Sequence, residues 1–310
     1  MGPKQKPVPP ASWKLLKRPV LDTSYVFFDD CANNAWAARA TAYSAINAWW
    51  LAESSFLGYF DAACAEKKAQ HAGFPRFKFF KSPKHSQLDT EGYVSANNAL
   101  IVVSFRGTEP TRGDFVTNLM YRKVKSPDCD GLVHRGFLLA LNSVWHDVKT
   151  AVEQFTREAV EEGKEEPEVW FTGHSLGGAL AALAAVRYGR DSGVYSVGTP
   201  RIGDAAFCAS FDKKVSKRSF VHINNTDVIT RLPPLFMGYR DLNTVRFIDA
   251  DHNLKDDRPP FRDFVVAVFS GVVTAIVTRT LVCALADHMP SRYAVIIWNL
   301  YAGAPRETSR

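Results

Sequence analysis

An α/β fold, in which helices flank a largely parallel sheet, is what the sequence predicts, and three observations predict it. A β-branched and aromatic run, Val169 to Thr172, passes through Gly173-His174-Ser175-Leu176-Gly177 directly into an alanine-rich run at helical spacing. Strand-like and helix-like segments then alternate: "VYSVGT" (194–199) precedes "DAAFCASF", "SFVHINN" (219–225) precedes a proline-rich loop, and "TVRFIDA" (244–250) precedes an apolar stretch. Hydrophobic residues make up 46% of the 310 residues, enough to bury a large core, and neither an internal repeat nor a linker divides Val20 from Leu300. A single domain over 1–310 follows, with 1–30 as a proline- and lysine-rich extension.

Taken in order, Cys31 to about Gln70 lacks proline and is rich in alanine. Trp36, Ala40, Tyr43, Asn47, Trp50 and Leu51 fall mostly on one helical face, so one long helix is expected, broken or kinked near Gly58. The runs "RFKFF" (76–80), "GYVSANN" (92–98) and "ALIVVSF" (99–105) read as short strands. Asn97-Asn98 supplies turn residues between the last two, which predicts a hairpin. Arg135 to about Gly163 reads as a helix ending in the solvated acidic run "EEGKEEPE".

Several function classes are disfavoured by composition. The formal charge of +6 is concentrated in the first eighteen residues, without an aromatic-interleaved basic patch, so nucleic-acid binding is not expected. Cys31, Cys64, Cys129, Cys208 and Cys283 are scattered and odd in number, and no pair has zinc-ligand spacing, so no metal and no cofactor are expected. Free thiols and the lack of an apolar N-terminal core favour a cytoplasmic location, with secretion after signal removal as the alternative. The longest uncharged apolar run, Phe264 to Thr278, falls short of the roughly 20 residues a membrane span requires. It reads as a buried helix.

The junction around Ser175 carries the chemistry. A strand turning sharply into a helix needs residues without a Cβ on both sides of the apex, and the apex side chain is then thrust out at the end of the sheet. Serine there is a nucleophile only with a base to take its proton and an acid to orient that base. The competing account is a glycine-rich packing turn with an incidental serine. Downstream histidines are His222, inside a strand-like run, His252, in the polar loop "DADHNLKDD", and His288, at the seam between two apolar runs. That seam favours His288, with His252 as the fallback. For the acid, Asp227 follows a strand directly, Asp249 and Asp251 are alternatives, and Asp287 lies too near His288 to orient it. Asp227 is also well suited to a plain Asx turn.

Six motifs in order give the chain a resemblance to the class 3 lipases, the fungal-lipase-like branch of the α/β-hydrolases, over roughly residues 35 to 300. They are "IVVSFRGTEP", "GLVHRGFLLAL", "FTGHSLGGALA", "SVGTPRIGD", "NNTDVITRLPP" and "DHMPSRY". The resemblance implies an α/β-hydrolase fold and a triad of Ser175, Asp227 and His288. It also implies an oxyanion hole built from the N–H and hydroxyl of Thr108 and the N–H of Leu176. Arg106 is expected to form ion pairs rather than to act in catalysis. Three segments could cover the site: 109–123, 232–240 and 264–278.

The activity implied is carboxylester hydrolysis on lipid esters presented at a lipid–water interface, with triacylglycerol favoured. Phospholipase or feruloyl-type esterase activity on the same triad is the alternative. The competing class is a non-catalytic lipase-like binding or signalling protein, which would be expected to lack triad members.

Overall fold

A computed structural model describes residues 3–10, 25–84, 89–107, 122–189, 192–256, 283 and 285–303. In chain order it contains helices α1 (Ala45–Leu57) and α2 (Ala62–His71), then strands β1 (Arg76–Lys81), β2 (Glu91–Ala96) and β3 (Leu100–Phe105). The short strands β4 (Lys123–Lys125) and β5 (Leu132–His134) precede the long helix α3 (Arg135–Glu161). Strand β6 (Glu168–His174), helix α4 (Leu176–Tyr188), strand β7 (Ser192–Val197) and helix α5 (Ala205–Val215) follow. Strands β8 (Ser219–Asn224), β9 (Val245–Ile248) and β10 (Leu254–Lys255) and helix α6 (Pro290–Gly303) complete the described elements.

Among the described residues, one sheet has eight strands in the order β1-β2-β3-β6-β7-β8-β9-β10. Its centre is parallel from β3 through β9, and its first two and last pairings are antiparallel. The central parallel strands are buried along nearly their whole length, as strands covered on both faces are. One core cluster packs α3, α4 and α5 against the sheet; the second packs α1 and α6 and contains Trp49, Trp170 and Trp298. Parallel strands place the loops that follow them along a common carboxyl edge, where α/β folds assemble their sites.

The expected hairpin forms between β2 and β3. Asn97 N–H donates to Leu100 O at 2.9 Å, and its side-chain Oδ1 accepts the N–H groups of Ala99 and Leu100. The expected helix from Cys31 to Gln70 is corrected at its start. Residues 31–33 make a single 3-10 turn, and α-helix begins only at Ala45, capped by Ser44. The reason lies ten residues further along the chain: the Asn47 side chain bonds both the N–H and the carbonyl of Ala37, holding the preceding segment in a non-helical path. The break at Gly58 falls where expected, and Asp61 caps the helix that follows. Helix α4 is buried along nearly its whole length, and its alanines let it lie between the sheet and its neighbours. The apolar stretch 264–278 lies outside the described residues, and no described helix is long and apolar enough to cross a membrane.

Helix α1 also carries a buried carboxyl. Glu53 accepts hydrogen bonds from the Tyr25 hydroxyl and from Phe28 N–H, the latter at 3.1 Å. Burial pushes its pKa from an ordinary 4.5 up to about 7, against the opposing pull of those donors. Between these values the folded chain binds more protons than the unfolded chain, so stability falls as pH rises through that window. Substituting Glu53→Gln removes the titration while keeping the acceptor. Thermal unfolding followed across this pH range should show the wild type losing stability relative to Glu53→Gln as pH rises toward about 7. Parallel profiles for the two proteins would show that Glu53 does not titrate there.

Candidate active site

Ser175 is the joint between β6 and α4. Its backbone sits at φ 58° and ψ −126°, a left-handed region that a non-glycine residue occupies only under constraint. The constraint is close backbone packing. A Cβ on Gly173 would lie 2.3 Å from the Gly177 backbone, and one on Gly177 would lie 2.1 Å from Phe105 O. Both flanking glycines are therefore required by contact. Ser175 N–H donates to Val197 O at 3.0 Å, which fixes the apex against the end of β7.

The structure brings together the three residues that the resemblance implies. Ser175 Oγ lies 3.0 Å from His288 Nε2, and His288 Nδ1 lies 2.9 Å from Asp227 Oδ2. Asp227 follows β8 in a tight turn, and His288 follows a helical turn and precedes α6. Asp227 is fully buried; its Oδ1 accepts Ile229 N–H at 3.0 Å, and its Oδ2 also accepts the Tyr293 hydroxyl at 2.7 Å. An acceptor-only carboxylate at Nδ1 calls for the proton on that nitrogen, leaving Nε2 to receive the serine proton.

The alternative candidates lie elsewhere. His222 is buried within β8 beside the Tyr43 hydroxyl, and burial lowers its pKa to about 3. His252 belongs to the turn between β9 and β10, where its N–H donates to Asp249 O. Asp249 organises the same turn by accepting the N–H groups of Asp251 and Asn253, and it pairs with Lys255.

Around this triad stands a group of residues that sequence reasoning passed over. Asp287, set aside as the orienting acid, instead ties two loops together. Its carboxylate accepts from Thr226 N–H and hydroxyl and from Arg292, and its carbonyl accepts from the Asn224 side chain. Tyr293 works from the other side, accepting Asn224 N–H at 2.8 Å while donating to Asp227. His174, the residue before the serine, takes the Tyr59 hydroxyl on Nδ1 at 2.6 Å, and its Nε2 faces His288 O at 2.5 Å. Burial holds its pKa well below the ordinary imidazole value, so the ring stays neutral. Gly198 sits at φ 63°, where a Cβ would lie 3.1 Å from both Asp227 Oδ2 and His288 Nδ1. The signal for Asp287, Arg292 and Tyr293 was the "DHMPSRY" run, in which Asp, His, Arg and Tyr are a few positions apart on one helix start.

Leu176 is the first residue of α4, so its N–H is among those with no partner inside the helix. Gly107 nests against the elbow: a Cβ there would lie 2.6 Å from His174 O and 3.2 Å from Ser175 Cβ. Thr108, the next residue, lies outside the described residues, as do 109–121. Arg106 pairs with Glu91 at 2.5 Å and with Asp89 at 3.0 Å, in keeping with its expected ion-pairing role. Among the described residues no group of three or more His, Cys, Asp or Glu side chains could hold a metal ion. The five cysteines are unpaired.

Residues 102–237 match the family model for lipase (class 3). Through this segment the chain is similar to the class 3 lipases. A secreted mono- and diacylglycerol lipase of Fusarium solani is 33% identical over 170 residues, covering 53% of this chain and 49% of that protein. A lipase of Rhizomucor miehei is 33% identical over 165 residues, covering 49% of this chain and 43% of that one. The chain spans about half the length of the curated relatives it matches. Among solved structures, the mono- and diacylglycerol lipase of Aspergillus oryzae superposes with a TM-score of 0.58 at 21% identity, covering 69% of this chain and 86% of that one. The Rhizomucor miehei lipase–propeptide complex gives 0.53 at 19% identity, covering 80% and 88%. The fold is that of the α/β-hydrolases.

Tyr293 offers a test of how Asp227 is held. Tyr293→Phe leaves Asn224 N–H without its acceptor and removes one donor from a buried carboxylate. Denaturant unfolding should show a loss of about 1–3 kcal/mol. Steady-state hydrolysis of a soluble ester should show a lower kcat with little change in KM, because the imidazolium formed in the transition state is less well supported. An unchanged kcat would mean that Asp227 keeps its position without the phenol.

Proposed function

We propose that this chain is a serine carboxylester hydrolase that cleaves lipid esters through an acyl-enzyme, with Ser175, His288 and Asp227 as its triad. The observation that carries this reading is the unbroken contact chain from Ser175 Oγ through both nitrogens of His288 to the buried carboxylate of Asp227, at 3.0 and 2.9 Å. Ser175 Oγ attacks the ester carbonyl while its proton passes to His288 Nε2. The tetrahedral oxyanion is received by Leu176 N–H and by the N–H and hydroxyl of Thr108. Collapse breaks the bond to the alcohol, which takes the proton from His288. Water then repeats the sequence, releasing the fatty acid and restoring the serine hydroxyl. Asp227 holds the imidazole tautomer and supports its positive charge throughout.

The substrate class we propose is acylglycerol presented at a lipid–water interface. The sequence reading favours triacylglycerol, and the relatives named as mono- and diacylglycerol lipases favour the partial glycerides as a second reading. The compartment proposed likewise follows those relatives, which are described as secreted; the cytoplasmic placement drawn from the cysteine pattern gains no support from them. A non-catalytic role is opposed by the filled and mutually bonded triad.

Hydrolysis of mono-, di- and triacylglycerols of one chain length, by wild type and by Ser175→Ala, tests the proposal. Wild type should release fatty acid from at least one of the three, and Ser175→Ala should lower kcat on the order of 10⁶-fold with the fold intact. Comparable release by the two proteins would refute the assignment, and the rank order among the three substrates decides between the readings.

A further inference from the structure

Eight residues beyond Asp227, the loop that carries the acid ends in an exposed apolar tip. Leu235–Met237 forms one 3-10 turn, in which Phe236 is 89% exposed, Leu235 48% and Met237 37%. Three adjacent large apolar side chains held in water are unlike the singly scattered ones that any surface shows. The root of the tip is fixed. Arg201 N–H donates to Leu232 O at 2.7 Å, and its guanidinium donates to Pro233 O and to Arg231 O while pairing with Asp241 at 2.8 Å. Arg201 follows β7, so this clamp seats the loop at the carboxyl edge of the sheet, beside the triad.

Cations stand behind the tip. Lys123 Nζ donates to Met237 O at 2.9 Å and lies 5.0 Å from the centre of the Tyr239 ring. Arg240 donates to Leu235 O at 3.2 Å. Arg122 and Arg135 are exposed next to Lys123 and joined by a backbone hydrogen bond of 2.9 Å. The tip's carbonyls at Leu235 and Met237 are thus tied off by cationic side chains, so its apolar groups can leave water without stranding those acceptors. An apolar wedge backed by a positive collar fits a surface that is greasy inside and negative at its boundary.

We propose that Leu235, Phe236 and Met237, with Lys123 and Arg240 behind them, dock this chain on an anionic lipid–water interface. Docking there turns the carboxyl edge of the sheet toward the lipid. The inference rests on the lipid-ester reading of the triad, and its test is a binding measurement that needs no turnover.

Ser175→Ala protein is mixed with vesicles of phosphatidylcholine alone or of phosphatidylcholine with phosphatidylglycerol, and the bound fraction is measured by sedimentation. The protein should partition onto the mixed vesicles more strongly than onto the neutral ones, and less so at high salt. Adding Phe236→Ser should lower partitioning onto the mixed vesicles by about tenfold or more. Lys123→Gln and Arg240→Gln should each lower it about fivefold, on the mixed vesicles only. Val160→Ser, an apolar site as exposed as Leu235 but at the far end of α3, should change nothing. Equal binding by the Phe236→Ser protein, or equal affinity for both vesicle types, would overturn the proposal. Self-association of the parent protein that Phe236→Ser abolishes would overturn it too, by showing that a second copy covers the tip. Failure of the triad reading shows separately, as retained hydrolysis by Ser175→Ala.

Discussion

A carboxylate with no exposure to water organises this site. Asp227 is fully buried, and burying a charge is tolerated only where hydrogen bonds and a partner replace its hydration. Ile229 N–H, the Tyr293 hydroxyl and His288 Nδ1 do so, drawing one partner from its own turn and two from residues 61 and 66 positions away. Because those two lie at and just inside the start of α6, the need to satisfy Asp227 fixes how that helix begins. Asp287 reinforces the same seam from outside, tying the Asn224 side chain and the Thr226 N–H to Arg292. Gly198 keeps the space beneath free of side-chain atoms.

The serine is held by a different kind of force. Its left-handed backbone is strained, and what holds it is the packing of glycine against glycine between β6 and α4 and of Gly177 against Phe105. One side of the site therefore depends on electrostatic satisfaction and the other on steric closeness. The two meet at His288, whose ring spans 3.0 Å to the serine and 2.9 Å to the acid, and whose carbonyl is held by His174 from the elbow itself. The elbow thus fixes His288 as well as Ser175.

Much of this was legible in the sequence, because the relevant constraints are local. Gly173 and Gly177 around Ser175, the β-branched run before it and the alanines after it specify strand, turn and helix without reference to distant residues. The Asn97-Asn98 turn was legible for the same reason. The start of α1 was not: residues 31 to 44 have helical composition, and contacts from further along the chain, Asn47 to Ala37 and Trp50 to Asn34, hold them out of the helix. Spacing alone left His252 and Asp249 open, since a polar loop after a strand can serve either a turn or a site, and here they build the turn. The supporting roles of Asp287, Tyr293 and His174 escaped because each arises from contacts across more than sixty residues or from a position read only as a spacer.

The central claim is that Ser175 is the one serine activated by a base held on a buried acid. Reaction of the folded chain with a fluorophosphonate, followed by peptide mapping in a mass spectrometer, tests it most directly. The account predicts a single adduct, on the peptide containing Ser175, that disappears when His288 is replaced by alanine. An adduct on another serine, or undiminished labelling of Ser175 without His288, would contradict it.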